Sequence, residues 1–139
     1  MATLIRPEIS RKNKYYIDKH RHYELKHFCL QYPKWKKLHA DLLDLNIGLS
    51  KIDGIRGDYV IGRPTERCVI ERSYYADRIK LIERVAMDAD EYLWKYILKA
   101  VTEGLSYTYL QTQLNIPCSR DTYYDRYRRF FWLLNEVRD

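Results

Sequence analysis

Apolar positions recur along most of the chain at helical rather than strand spacing. From Asp18 onward Tyr23, Leu25, Phe28, Cys29 and Tyr32 share a helical period, and Pro33 closes the segment. Pro33 also suits the first turn of a new helix, and Trp35, Leu38, Leu42 and Leu45 then fall on one face, which predicts a helix over Pro33 to Leu45. The two are expected to pack as a hairpin. Residues 46–64 hold Gly48, Gly54, Gly57 and Gly62, four of the five glycines, and read as a loop that divides the chain. Beyond it Thr65 is the expected N-cap of a long helix whose Cys68, Arg72, Tyr75, Ile79, Ile82 and Ala86 form a heptad-like stripe. Asp88 and Glu91 have capping-box spacing and predict a further helix with Tyr92, Leu93, Tyr96, Ile97, Ala100 and Val101 buried, ended by Gly104.

The last stretch changes rhythm. Ser106 is a candidate N-cap for a short segment with Leu105, Tyr109, Leu110 and Leu114 apolar. Asn115-Ile116-Pro117-Cys118 breaks it, and Ser119 caps a final helix with Tyr123, Tyr127, Phe130, Phe131 and Leu134 on its core face. The predicted fold is therefore all-α: a basic arm and helical hairpin over 1–45, a Gly-rich loop over 46–64, and a helical domain over 65–139 with a helix-turn-helix at about 105–137.

Charge sharpens this picture. With 139 residues, 46% of them hydrophobic, the chain supports one compact core, and its net charge of +6 favours polyanionic partners. The excess is local: residues 1–39 carry ten Lys or Arg against three Asp or Glu, residues 40–87 carry eight of each sign, and residues 88–139 carry seven basic against eight acidic. Met1 to Tyr15, with Arg6, Arg11, Lys12 and Lys14, reads as an extended basic arm. The three cysteines, Cys29, Cys68 and Cys118, are dispersed and suit a reducing cytoplasm rather than a disulfide framework. No apolar run has membrane-spanning length and no membrane is expected among the partners.

A short helix, a turn and a longer helix are the order in which a DNA-reading motif braces its second helix for the major groove. The face of the last helix pointing away from the predicted core carries Arg120, Asp121, Tyr124, Asp125 and Arg128 as candidate base-reading residues. Ser119 at the helix N-terminus, Arg126 and Arg129 on its flanks, and Arg11, Lys12 and Lys14 of the arm are the candidate phosphate-binding residues. The competing interpretation of this face is a solvated terminal helix held by i,i+4 charge pairs.

Gly104-Leu105-Ser106, Leu110, Leu114-Asn115-Ile116, Thr122-Tyr123-Tyr124 and Tyr127-Arg128-Arg129, with Tyr32-Pro33-Lys34-Trp35 upstream, resemble the ArpU and RinA groups of phage transcriptional regulators, which are sigma-region-four-like. The resemblance implies sequence-specific binding of double-stranded DNA in the control of late genes of a phage or prophage, with the final helix reading the site. The alternative from another class is a phage-encoded inhibitor of anti-CRISPR type that binds a host nucleoprotein complex through the basic N-terminal region and the tyrosines. Host RNA polymerase or another host protein complex is the corresponding protein partner. Tyr15, Tyr16, Tyr74, Tyr75, Tyr107 and Tyr109 are the tyrosines considered for stacking or interface use. The stripe from Cys68 to Ala86 offers a homodimer contact, against intramolecular packing.

Other chemistry finds little footing. His20, His22 and His27 lie near Cys29, but His20 and His22 face different sides of a helix, so no metal and no other cofactor is expected. There is no nucleophile-base set, glycine-rich phosphate loop or H-E-x-x-H pattern, and an enzyme is not expected. The C-terminal residues 88–139 are net negative, so selection is assigned to Ser119 to Arg129 and attraction to the basic N-terminal third.

Overall fold

The computed structural model describes residues 11–56 and 62–138, with side chains described in this range except at 45–56 and 62–65. Among the described residues the chain forms six helices and no strand: α1 (Lys19–Leu30), α2 (Tyr32–Arg56), α3 (Gly62–Ala89), α4 (Trp94–Glu103), α5 (Tyr107–Leu114) and α6 (Arg120–Val137). They belong to two compact units. One joins the N-terminal residues through Gln31 to the chain from Ile82 onward; the other is Tyr32–Leu81.

The first unit is built on α1, α4 and α6, which pack against one another. Leu25, Phe28 and Cys29 of α1, Ile97, Ala100 and Val101 of α4, and Tyr123, Phe130, Phe131 and Leu134 of α6 are buried, joined by Ile82, Val85, Ala86 and Ala89 from the end of α3. Each large side chain so buried contributes roughly 1.5–3 kcal/mol. Asp18 starts α1 by accepting from the His20 N–H at 3.0 Å. Arg21 then ties α1 to the end of α6, donating from Nε to Asn135 Oδ1 at 2.7 Å and from Nη2 to the Arg138 carbonyl. The hairpin expected between the first two helices is thus not what organises α1, whose partners are α4 and α6, while α2 belongs to the second unit.

Helix boundaries differ from those the spacing predicts at the glycines and at the two expected caps, Thr65 and Asp88. The loop expected over 46–64 is helical through Arg56 and again from Gly62, and only 57–61 lie outside the described residues. The apolar spacing of Leu38, Leu42 and Leu45 continues in the sequence through Leu49 and Ile52, and an isolated helical glycine costs only about 1 kcal/mol. Pro64 sits in the first turn of α3, where no intrahelical N–H is required of it, so Thr65 is not the cap. The Asp88 capping box does not form either, because α3 runs on to Ala89. Asp90 does the work instead, its Oδ1 accepting from the N–H groups of Tyr92 and Leu93 at 2.8 and 2.7 Å. Tyr92, expected in the core, is 83% exposed because this turn points it outward.

At the other end of α4, Gly104 closes the helix with φ 70°, a left-handed conformation that only glycine adopts freely. The Leu105 N–H reaches back to the Ala100 carbonyl at 3.0 Å. In the stripe from Cys68 to Ala86, Cys68, Ile82 and Ala86 are already buried within the single chain.

Candidate nucleic-acid interface

α5, the turn at 115–119 and α6 follow one another as short helix, turn and longer helix. Ser106 caps α5 by accepting from the Tyr109 N–H at 3.1 Å. Asn115 ends it with φ 53°, a left-handed geometry asparagine tolerates, and the Ile116 N–H bonds the Leu110 carbonyl at 3.1 Å. Tyr107 then fixes the turn. Its hydroxyl donates to the Cys118 carbonyl at 2.6 Å, and its ring lies 5.7 Å from that of Tyr123. Spacing alone placed Tyr109 in the core in its stead, yet Tyr109 is exposed and Tyr107 is buried.

Ser119 starts α6 as expected, its Oγ accepting from the Thr122 N–H at 3.2 Å. That bond occupies the side chain proposed for phosphate and leaves the backbone N–H groups of the first turn without helical partners. Arg120 and Asp121 are exposed there, and the Arg120 guanidinium lies 5.5 Å from the centre of the Tyr107 ring. Tyr124 is half-buried, edge-on to Tyr123 at 4.8 Å, and burial raises its phenol pKa. Burial likewise pushes Tyr123 and Tyr127 well up, and the Tyr123 hydroxyl is enclosed with no hydrogen-bond partner.

Further along α6 the arginines turn to internal work. Arg126 Nε lies 3.2 Å from Asp90 Oδ2, and its Nη1 lies 3.4 Å from Asp125. The Nε contact is an ion pair without hydrogen-bond alignment. Arg129 donates to the Tyr15 hydroxyl and to the Asp88 carbonyl, both at 3.4 Å. Arg126 and Arg129 are thus engaged by oxygen partners, supplied by the α3–α4 turn and by Tyr15, that no local pattern announces. Arg128 is half-buried, with its Nε enclosed and lacking a hydrogen-bond partner.

The described part of the N-terminal segment is a turn rather than an extended arm; Arg6 lies outside the described residues. Asn13 makes the turn, its side-chain oxygen accepting from the Tyr15 N–H at 2.8 Å and its carbonyl from the Tyr16 N–H at 3.0 Å. Tyr15 is only 6% exposed, with its ring 5.9 Å from Trp132 of α6. The hydrogen bond from Arg129 holds its phenol below the ordinary pKa. Lys14 Nζ stands 5.0 Å over the Tyr15 ring, and Arg11, Lys12 and Lys14 are exposed. This seat brings the basic segment alongside α6.

The histidines near Cys29 do not converge. His20 and His27 are exposed, whereas His22 is buried edge-on to Phe131 at 4.7 Å, and burial lowers its pKa to about 4. Among the described residues no three of His, Cys, Asp and Glu form a metal-holding group, and no helix is long and apolar enough to cross a membrane. Of the remaining tyrosines, Tyr74 is exposed, with the Arg78 guanidinium 3.4 Å over its ring. The chain matches no protein-family model, no curated protein and no solved structure.

Proposed function

We propose that the protein is a sequence-specific DNA-binding regulator of the phage or prophage type, one that controls late genes and reads double-stranded DNA with the first two turns of α6. The observation that carries the reading is the division of labour at the start of α6. Ser119 and Tyr107 lock the entry of the helix from within, while Arg120 and Asp121 stand exposed on its opening turn. A helix held in this way has little freedom to lose on entering a groove. Arg120 offers the planar fork that grips guanine, and Asp121 is an acceptor suited to cytosine N4. Tyr124 and Asp125 extend the same reading surface, with Arg128 at its margin.

The test is competitive binding of duplex fragments from the protein's own genomic neighbourhood against random duplexes, for the native chain and for Arg120→Ala and Asp121→Ala. One fragment is expected to bind well above random, with each substitution removing about 1–3 kcal/mol of that discrimination. Equal binding of all duplexes at moderate salt overturns sequence reading.

A further inference from the structure

We infer that the turn Arg11–Lys14 is a second nucleic-acid contact, seated beside α6 by Tyr15, and that Arg129 positions this seat rather than gripping phosphate itself. The inference rests on the DNA-binding reading above and says how a net-negative reading region holds a polyanion.

Residues 88–139 carry eight acidic against seven basic side chains, and Asp121 and Asp125 lie on the very face offered to DNA. Arg126 is paired with Asp90, and Arg129 is bonded to Tyr15 and the Asp88 carbonyl, so two of the arginines on that helix are committed to the fold. The attraction has to come from another part of the chain, and the basic excess lies in residues 1–39.

Tyr15 converts that excess into a fixed feature. Its ring rests by Trp132 and its hydroxyl accepts from Arg129. Asp125, Arg129 and Trp132 are spaced by four and three residues and share one face of α6, the side away from Tyr123, Phe130 and Leu134. Tyr15 thus covers this face at Arg129 and Trp132, and the opening turn, where Arg120 and Asp121 are exposed, stays clear. Asp121 lies one turn before Asp125, roughly 6 Å along the axis. Arg129 and Trp132, the residues Tyr15 touches, lie eight and eleven residues beyond Asp121, about 12 and 17 Å along the axis, so exposed cations next to Tyr15 stand a major-groove width or more from the reading turn, toward the phosphates that flank it. Because the Asn13 turn is closed by its own backbone and side-chain bonds, this contact is preorganised and does not have to be ordered on binding.

The test compares salt dependence of binding to a labelled random-sequence duplex for the native chain, for the double substitution Arg11→Ala with Lys14→Ala, and for Tyr15→Ala. A single-stranded oligonucleotide of equal length serves as a further probe. Each phosphate contact contributes about 0.9 to the slope of log K against log salt. The double substitution, which touches only exposed side chains, is expected to lower the slope by about two between roughly 50 and 200 mM salt and to weaken specific and random duplexes alike. Tyr15→Ala keeps both cations yet is expected to lower the slope in the same direction, which a role in stability alone would not do. Tyr15→Phe, which keeps the ring but removes the hydroxyl facing Arg129, reads the same positioning if Tyr15→Ala fails to fold. An unchanged slope in the double substitution, with native binding intact, overturns the inference and leaves the DNA reading standing. Absence of any duplex binding by the native chain overturns both, and a slope change seen only with the single strand overturns the duplex assignment.

Discussion

The opening turn of α6 and its later turns are made of similar residues, arginines and aromatics in close alternation, yet the fold puts them to different uses. At the opening, Arg120 is exposed near the Tyr107 ring, and among the described residues no acidic side chain is paired with it. Later, Arg126 meets Asp90, Arg129 meets Tyr15 and the Asp88 carbonyl, and Phe130, Phe131 and Leu134 fill the core between α1 and α4. An arginine's role on a helix is thus set by what the rest of the chain lays beside it. Like side chains become a presented surface at one end and mortar at the other.

Excavating the later turns of α6 has the largest expected effect. Phe131→Ala removes a ring that is 1% exposed and packs edge-on to His22, Tyr127 and Phe130. It is expected to cost about 3–5 kcal/mol in urea unfolding. A loss below about 1 kcal/mol would place the core elsewhere.

Next comes pH. His22 is kept neutral in the fold, with its pKa lowered to about 4 by burial and by Lys26, against an ordinary value near 6.5. The unfolded chain takes up its proton first, so stability is full above about pH 6.5 and falls as the pH drops toward 4. The loss is expected to be on the order of 3 kcal/mol. His22→Phe should flatten that part of the curve, and an unflattened curve would assign the pH dependence to other groups.

The smallest effects separate the two ends directly. Asp90→Ala removes both the cap of the α3–α4 turn and the partner of Arg126, and should cost about 1–2 kcal/mol in thermal or urea unfolding. Arg126→Ala should cost no more than about 1 kcal/mol, the range of a partly exposed pair. Arg120→Ala should stay within about 0.5 kcal/mol of the native chain. A larger effect at Arg120 than at Asp90 would reverse the assignment of surface and mortar.

Much of this arrangement was legible in the chain because its signals are local. The aromatic spacing from Tyr123 to Leu134, the Ser119 and Ser106 caps and the Gly104 terminus each depend on neighbours within a turn or two, and each appears where the pattern put it. What escaped depends on distance in sequence. Tyr15 has no helical periodicity around it, and its burial follows from Trp132 and Arg129, the latter 114 residues away. Arg126 and Arg129 look like surface charges until the α3–α4 turn delivers Asp90 and the Asp88 carbonyl to them. Gly48 and Gly54 were misleading in the opposite sense. Glycine is permissive rather than forbidding in a helix, and a continuing apolar stripe outweighs it.

The way α1 joins α4 and α6 bears on how the molecule is made. Leu25, Phe28 and Cys29 leave the ribosome early, but the surfaces that cover them arrive only with residues 94–137. Until then α1 is a short segment without a core, and isolated helices of this length are marginal in water. Its final docking closes a long loop through Tyr32–Leu81, an entropic cost that grows by only about 0.6 kcal/mol for each doubling of loop length. Growth or shrinkage of the middle of the chain would therefore disturb the finished fold little, although α1 must wait for α6 before its apolar side chains are covered.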